Sequence, residues 1–139
     1  MIVVGETVGR WVGEGAKAPW TTECRAIGWM RDGKLVCGIL YDGYTGASIA
    51  MHSRVDDPRK VSREWLSAIF DYPFNQLAVK RVTGLVSTAN LKAQKTNEHL
   101  GWKRETVLKD YFKDGDGIVY VMRKADCRWL RNPKELSKG

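Results

Sequence analysis

Short apolar runs separated by glycine-containing turns dominate the first half of the chain. Residues 25–30 and 35–41 are rich in apolar side chains and flank an Asp32-Gly33 dipeptide, which is typical of a tight hairpin turn. A second glycine-bearing turn leads to residues 47–52. Three consecutive strands joined by tight turns predict an antiparallel meander.

The segment ahead of this meander has a mixed pattern. Val8, Trp11 and Val12 are spaced as on one face of a helix, but glycines interrupt residues 6–19. Each glycine in a helix interior costs about 1 kcal/mol relative to alanine. We therefore expect either a short helix or an irregular segment here.

Helical and strand patterns alternate in the second half. Ser62 is a suitable N-cap, and Tyr72-Pro73 is expected to end the helix that follows it. The residues at helical spacing in this segment are Trp65, Leu66, Ile69 and Phe70.

The stretch from Arg81 to Glu105 has the most informative pattern in the chain. Residues 81–87 predict a strand, and good helix formers follow Asn90 until Gly101, a residue suited to the left-handed position that ends helices. Residues 117–122 predict a final strand. The whole pattern describes a mixed α/β protein.

These elements resemble the C-terminal half of the GNAT superfamily of acyl-CoA-dependent N-acyltransferases, over about residues 47–130. The matching positions are Asn90, Leu100, Gly101, Trp102 in place of the usual Phe, Arg104 and Glu105. The resemblance implies a GNAT-like mixed central sheet with an antiparallel N-terminal meander, a strand splay and flanking helices. An Asp-Gly-Asp turn at 114–116 and the ending at 127–130 look like members from bacteriophage and prophage genomes.

The resemblance implies an acetyl-CoA-dependent N-acetyltransferase. Acetyl-CoA, as co-substrate, would lie between residues 49–53 and 81–87, and an amine acceptor, either a protein or a small molecule, would attack it directly. Two alternatives remain open at this point: a GNAT-fold enzyme that modifies nucleic-acid bases, and a catalytically silent GNAT-fold binding module.

The expected cofactor-binding residues lie around the start of two helices. The family's glycine-rich pyrophosphate loop is replaced by residues 55–63, which contain no glycine but several cations and a hydroxyl. Asp56 and Asp57 would repel phosphate unless they point away. The predicted cofactor-binding residues are Arg54, Arg59, Lys60, Ser62, Arg63 and Asn90, and Asn90 would also serve as an N-cap.

The catalytic residues are less sharply defined. The family's usual general acid, a Tyr in the last helix, is replaced by Asn97, which cannot deliver a proton near neutral pH. His52 is the candidate general base because it lies on a predicted strand beside the expected splay. Ser87 and Tyr111 are candidate hydroxyl groups, although each residue type is more often a turn or core residue.

Length and composition narrow the class of protein further. A chain of 139 residues, 43% of them hydrophobic, predicts one folded domain over residues 1–130 with a polar tail at 131–139. No apolar run reaches membrane-spanning length, and residues 1–4 are too short for a signal peptide, so we expect a cytoplasmic protein, in host cytoplasm if phage-encoded. Three widely spaced cysteines predict neither disulfides nor a metal site.

The net charge of +7 favours polyanionic partners without choosing among them. Nucleic acid is not favoured, because the sequence has no zinc-finger spacing and no aromatic RNA-recognition motif. A homodimer is left open by the sequence.

Overall fold

The computed structural model describes residues 1–130 and shows one seven-stranded mixed sheet. Its strands are β1 (Ile2–Val4), β2 (Arg25–Arg31), β3 (Lys34–Asp42), β4 (Ser48–Val55), β5 (Arg81–Ser87), β6 (Lys103–Phe112) and β7 (Gly115–Arg123). Its helices are α1 (Glu6–Ala16), α2 (Arg63–Asp71) and α3 (Leu91–Leu100). The strand order is β1-β2-β3-β4-β5-β7-β6, and β4–β5 is the parallel pair in this sheet.

The helices lie on opposite faces of the sheet. Val8 and Val12 of α1 are buried against Ala26 and Leu40, and we call this side of the sheet the α1 face. Helices α2 and α3 cover the other side, which we call the α2–α3 face. Its core is the larger of the two and contains most of the aromatic side chains. Those buried there are Tyr41, Trp65, Phe70, Phe74, Trp102 and Tyr120.

The predicted meander is confirmed, since β2, β3 and β4 pair antiparallel in sequence order. The turn between β2 and β3 has positive φ at both central residues, 52° at Asp32 and 76° at Gly33, as a two-residue hairpin requires. The mixed α/β fold class is confirmed in the same way, because antiparallel strands at the start are followed by the parallel β4–β5 pair.

The glycine-rich segment forms an 11-residue helix, the first of the two expected alternatives. Its glycines are explained by close packing. A Cβ on Gly9 would lie 2.1 Å from Trp20 Cε3, and a Cβ on Gly38 beneath the helix would lie 2.5 Å from Val12 Cγ2. The loss of helix propensity is therefore offset by the close approach of α1 to the sheet.

Helix α2 begins as predicted, because the Ser62 hydroxyl accepts a hydrogen bond from Trp65 N–H at 3.1 Å. The α-helix ends at Asp71, directly before Tyr72-Pro73, as predicted. The chain continues past Asp71 as a π-helical turn, Tyr72–Gln76. Pro73 lacks the N–H that would continue the α-helical pattern to Ile69 C=O, and the Tyr41 hydroxyl donates to that carbonyl instead.

Strand β1 was not predicted from the sequence, because three residues are too few to show a periodic pattern. All three cysteines are free and buried, and burial raises the pKa of Cys37 to about 11. No helix within residues 1–130 is long and apolar enough to span a membrane. The predicted polar tail, residues 131–139, lies outside the described residues.

Gly38→Ala is expected to destabilise the protein by about 1–3 kcal/mol, because the new Cβ must displace the fully buried Val12. Gly84→Ala is the matched control. It lies in another strand, where a Cβ would be no nearer than 3.7 Å to Trp102, an ordinary contact. Urea unfolding of the two variants measures the difference, and equal stabilities would contradict close packing of α1.

Candidate active site

The central feature of the sheet is a gap between β4 and β5. These parallel strands pair over three positions only, which are Ser48↔Arg81, Ile49↔Val82 and Ala50↔Thr83. Both strands then continue, β4 to Val55 and β5 to Ser87, without pairing to each other. The strand splay implied by the resemblance is therefore present.

Backbone groups of both strands point into this gap. Asp56 N–H donates to Val36 C=O, so the alternate residues Arg54 and His52 of β4 also direct their backbone groups to β3. The backbone groups of the residues between them, Met51 and Ser53, therefore point into the gap. Thr88 N–H donates to Asp116 C=O, which by the same alternation turns Leu85 and Ser87 of β5 toward β4. These edges can pair with an extended amide-containing ligand.

Two helices begin at the open end of the gap. Helix α2 follows β4 and is capped by Ser62, while α3 follows β5 and is capped by Asn90, whose Oδ1 accepts a hydrogen bond from Ala93 N–H at 3.1 Å. The predicted N-cap role of Asn90 is thus observed. The first N–H groups of each helix have no intrahelical acceptor, and the helix dipole makes this end favourable for an anion.

Two of the predicted cofactor-binding arginines form ion pairs with aspartates that follow the end of β4. Arg54 Nε lies 2.9 Å from Asp56 Oδ1, and one of its terminal nitrogens donates to Trp11 C=O at 2.8 Å. Arg59 Nε lies 3.0 Å from Asp57 Oδ1, and this hydrogen bond lowers the pKa of the Asp57 carboxyl. Asp57 also caps the short turn Pro58–Lys60. The carboxylates therefore face their own arginines.

The other two predicted cations differ in environment. The Arg63 guanidinium lies 5.7 Å from the centre of the Trp129 ring and donates to Arg128 C=O at 3.5 Å. Lys60 is half-buried beside Asp57 at the end of the short turn. Arg59, whose side chain is 88% exposed, can rotate toward a ligand at little cost. Lys60, Arg59 and Ser62 therefore cluster at the start of α2.

His52 lies on the α1 face of β4, beside the point where β4 and β5 separate. Its Nε2 is 2.9 Å from Asp42 Oδ1, and both side chains are about one-third exposed. An ionised carboxylate only accepts hydrogen bonds, so Nε2 carries the proton and Nδ1 of the neutral ring keeps its lone pair. Sequence reasoning selected His52 but missed Asp42.

Ser87 and Tyr111 lie at the open end of β5. The Ser87 hydroxyl donates to Asp114 Oδ1 at 2.8 Å and accepts from Ala89 N–H at 3.1 Å. Tyr111 is half-exposed and folds over Gly117, where a Cβ would meet the Tyr111 Cβ at 3.0 Å. Gly117 pairs with Ser87 across the sheet. The structure thus brings Ser87 and Tyr111 together, with the Ser87 hydroxyl engaged in a turn.

A polar network that the sequence did not reveal fixes α3 on the sheet. Buried Gln94 donates to the carbonyls of Ser87 and Thr88 and accepts from Arg104 at 3.0 Å. Glu98 accepts from the Tyr120 hydroxyl at 2.9 Å and from Arg104 at 3.2 Å. Both hydrogen bonds lower the pKa of the Glu98 carboxyl, and the bond from Tyr120 has the larger effect. In the sequence, only the i, i+4 spacing of Gln94 and Glu98 indicates that the two side chains share one face of α3.

This architecture is similar to solved structures of N-acetyltransferases. A chimera of the spermidine N-acetyltransferase SpeG from Vibrio cholerae and hSSAT is 14% identical, with a TM-score of 0.73 over 94% of this chain and 98% of the other. Mutant forms of SpeG from the same organism give a TM-score of 0.72 at 13% identity, over 90% and 95% of the two chains. Campylobacter jejuni PseH in complex with acetyl coenzyme A gives 0.56 at 17% identity, over 75% and 70%.

No protein-family model and no curated protein matches the sequence itself. The similarity therefore lies in three-dimensional structure, and at these identities it shows the fold. The chain has the fold of the GNAT N-acetyltransferases, with the strand splay and both flanking helix N-termini in place.

Glu98→Gln is expected to lower the free energy of unfolding near neutral pH, and the deficit should shrink as the pH falls. The folded-state pKa of Glu98 is below its unfolded value, so its contribution is complete above about pH 5 and is lost as the carboxylate is protonated. Chemical denaturation between about pH 3 and 7 measures this.

The Tyr120→Phe background provides the control, since removal of the phenol should weaken the pH dependence that Glu98 contributes. A deficit that is constant with pH, or one unaffected by Tyr120→Phe, would contradict the network.

Proposed function

We propose that this protein is an N-acetyltransferase that transfers an acetyl group from acetyl-CoA to an amine. The observation that carries the proposal is the gap between β4 and β5, bordered by free backbone groups and by two helix N-termini, in a fold similar to known N-acetyltransferases. The similar structures include one in complex with acetyl coenzyme A. The acceptor proposed is an amine on either a protein or a small molecule.

The residues around the gap fit an extended, anionic co-substrate. Met51 and Leu85 supply backbone groups for the amides of the pantetheine arm. The start of α2 with Ser62 supplies N–H groups for the pyrophosphate, and Lys60, Arg59 and Arg63 supply positive charge. The Asn90 side-chain amide, whose oxygen is used by the cap, retains its N–H donors for the same ligand.

The Asp42–His52 pair is the proposed general base. When bound, acetyl-CoA supplies an activated thioester. The amine nitrogen forms a bond to the acetyl carbon, the carbon–sulfur bond breaks, and the amine proton passes to His52 Nδ1 directly or through water. Asp42 positions the ring and stabilises the imidazolium that forms. The thiolate leaves with the electron pair, and half-exposed Tyr111 is the proposed proton donor to it.

A catalytically silent binding module is the second candidate, and one observation favours it. Asp56 and Asp57 form ion pairs with Arg54 and Arg59, the positions that would otherwise hold phosphates, and residues 55–63 contain no glycine. An anionic ligand must compete with these carboxylates. Binding of acetyl-CoA tests whether the ligand overcomes these carboxylates, and release of free CoA thiol in the presence of an amine separates an enzyme from a silent module.

Acetyl-CoA should raise the melting temperature by about 5–10 °C at roughly a hundredfold excess over its Kd, because ligand that binds only the folded state stabilises it. Replacing Arg59, Lys60 and Arg63 together by Ala should remove most of this shift. The measurement is differential scanning fluorimetry, with isothermal titration for affinity.

The matched control replaces the exposed cations Lys34, Lys95 and Lys124 by Ala, which lowers the net charge equally but leaves the start of α2 intact. This variant should keep the shift. If millimolar acetyl-CoA gives neither heat nor stabilisation of the unmodified protein, both the co-substrate and the enzyme proposal fail.

His52→Ala is expected to lower kcat/KM for acetyl transfer by about 100-fold near neutral pH. The defect should shrink at alkaline pH, where the acceptor amine loses its proton to solvent. Asp42→Asn should give a smaller defect of the same pH dependence, because Asp42 acts through His52. The assay follows release of free CoA thiol over a panel of amines.

His99→Ala is the control, since His99 is exposed at the end of α3. It should leave activity unchanged. A pH-independent defect in His52→Ala would remove His52 as the base while leaving the acetyltransferase activity itself intact.

A further inference from the structure

The two edges of the sheet differ in how they are protected against pairing with another strand. Strand β6 carries charges at Lys103, Arg104 and Lys109, and two register shifts interrupt its pairing with β7. Charges and bulges of this kind block edge-to-edge association. Strand β1 has neither a charge nor a bulge and is limited only by its length of three residues: its sequence is Ile-Val-Val, with Ile2 41% and Val4 71% exposed.

The exposed residues of β1 are also those whose backbone faces outward. Met1 and Met30 exchange two hydrogen bonds, and Gly5 N–H donates to Ala26 C=O, so alternate residues 1, 3 and 5 are bonded to β2. In an antiparallel ladder the intervening residues direct their N–H and C=O groups away. Ile2 and Val4 therefore present both an apolar side chain and free backbone groups at the edge.

An apolar groove of about 550 Å³ adjoins this edge, bordered by α2 on one side and by Trp20 and Cys24 of the α1 face on the other. Its lining includes Ile2 and Val4 of β1, Ile27 of β2, Ala68 of α2 and Tyr72. The charged residues along it are Glu6, Arg25 and Asp71. Two molecules that each carry a net charge of +7 can approach most easily here, where the local charge is not positive.

We propose that two copies of this chain associate through β1, by antiparallel pairing about a two-fold axis beside Val3. The register follows from the outward groups. Ile2 of one copy lies opposite Val4 of the other, and each such pair exchanges two hydrogen bonds, giving four in all. The two sheets then form one continuous sheet of fourteen strands, twice the seven of one chain.

The apolar side chains of the edge meet in this arrangement. Ile2 and Val4 point to the α2–α3 face in both copies, so four such side chains lie side by side between the two grooves. The pairing covers the edge that carries neither charges nor bulges, and the charged β6 edges remain exposed at the outer ends of the joined sheet. This association does not depend on the proposed enzymatic function.

Sedimentation velocity tests the association. At micromolar concentration the sedimenting species should have a mass of twice 15.7 kDa. Val4→Lys should return it to the mass of one chain, because the new charge would be buried in the paired edge against Ile2 of the other copy. Val107→Lys is the matched control: it makes the same change at an exposed position, 47% accessible, on the β6 edge and should leave the dimer intact.

Disulfide trapping tests the register. Val3 lies next to the two-fold axis and opposite its own copy in a non-hydrogen-bonded pair, so Val3→Cys should form an intermolecular disulfide under mild oxidation. Val4→Cys, one residue away, should cross-link poorly. Circular dichroism verifies folding of each variant, and the native cysteines are buried.

Three outcomes would overturn the proposal. These are a monomer at about 100 µM, a Val4→Lys protein that remains dimeric, or equal trapping of the two cysteine variants.

Discussion

The short parallel pairing of β4 with β5 is the constraint on which the rest of the structure depends. Only three residue pairs join the meander to the C-terminal strands through backbone hydrogen bonds. A parallel pair needs a crossover connection, and α2 supplies it, burying Trp65, Leu66, Ile69 and Phe70 on the sheet. The apolar core beneath α2 thus stabilises a sheet that its own hydrogen bonds leave incomplete at the centre.

The incomplete pairing is also what creates the candidate site. Beyond Ala50 and Thr83, the backbone groups that β4 and β5 direct toward each other are not paired. The N-termini of α2 and α3 lie at the same open end. Trp102 packs against β5 on the α2–α3 face, 3.7 Å from where a Gly84 Cβ would be. The Gln94–Arg104–Glu98–Tyr120 network holds α3 in position, so the open end is bounded by two fixed helices.

The sequence predicts most of the secondary structure because its signals are local. The Asp32-Gly33 turn, the Ser62 and Asn90 caps and Gly101 each act through their nearest neighbours in the chain. It also located His52 beside the splay. What it missed depends on contacts distant in sequence. Strand β1 exists because β2 lies next to it, and α1 tolerates its glycines because the sheet and Trp20 approach them.

The site chemistry shows the same limit. The ion pairs of Asp56 with Arg54 and Asp57 with Arg59 join close neighbours, yet the sequence alone did not reveal which way the aspartates point. Asp42 lies ten residues before His52, and only the hairpin register brings the two together across β3 and β4.

Arg54 connects α1 to the loop that precedes α2. Its guanidinium lies 4.1 Å from the centre of the Trp11 ring and donates to the Trp11 carbonyl in α1, while it also pairs with Asp56 at the loop before α2. A phosphate that drew this guanidinium away from its carboxylate would also weaken its hold on α1. Thermodynamic reciprocity then requires the converse: a ligand that stabilises the contact of Arg54 with α1 lowers the affinity for such an anion by the same factor as the anion lowers the affinity for that ligand.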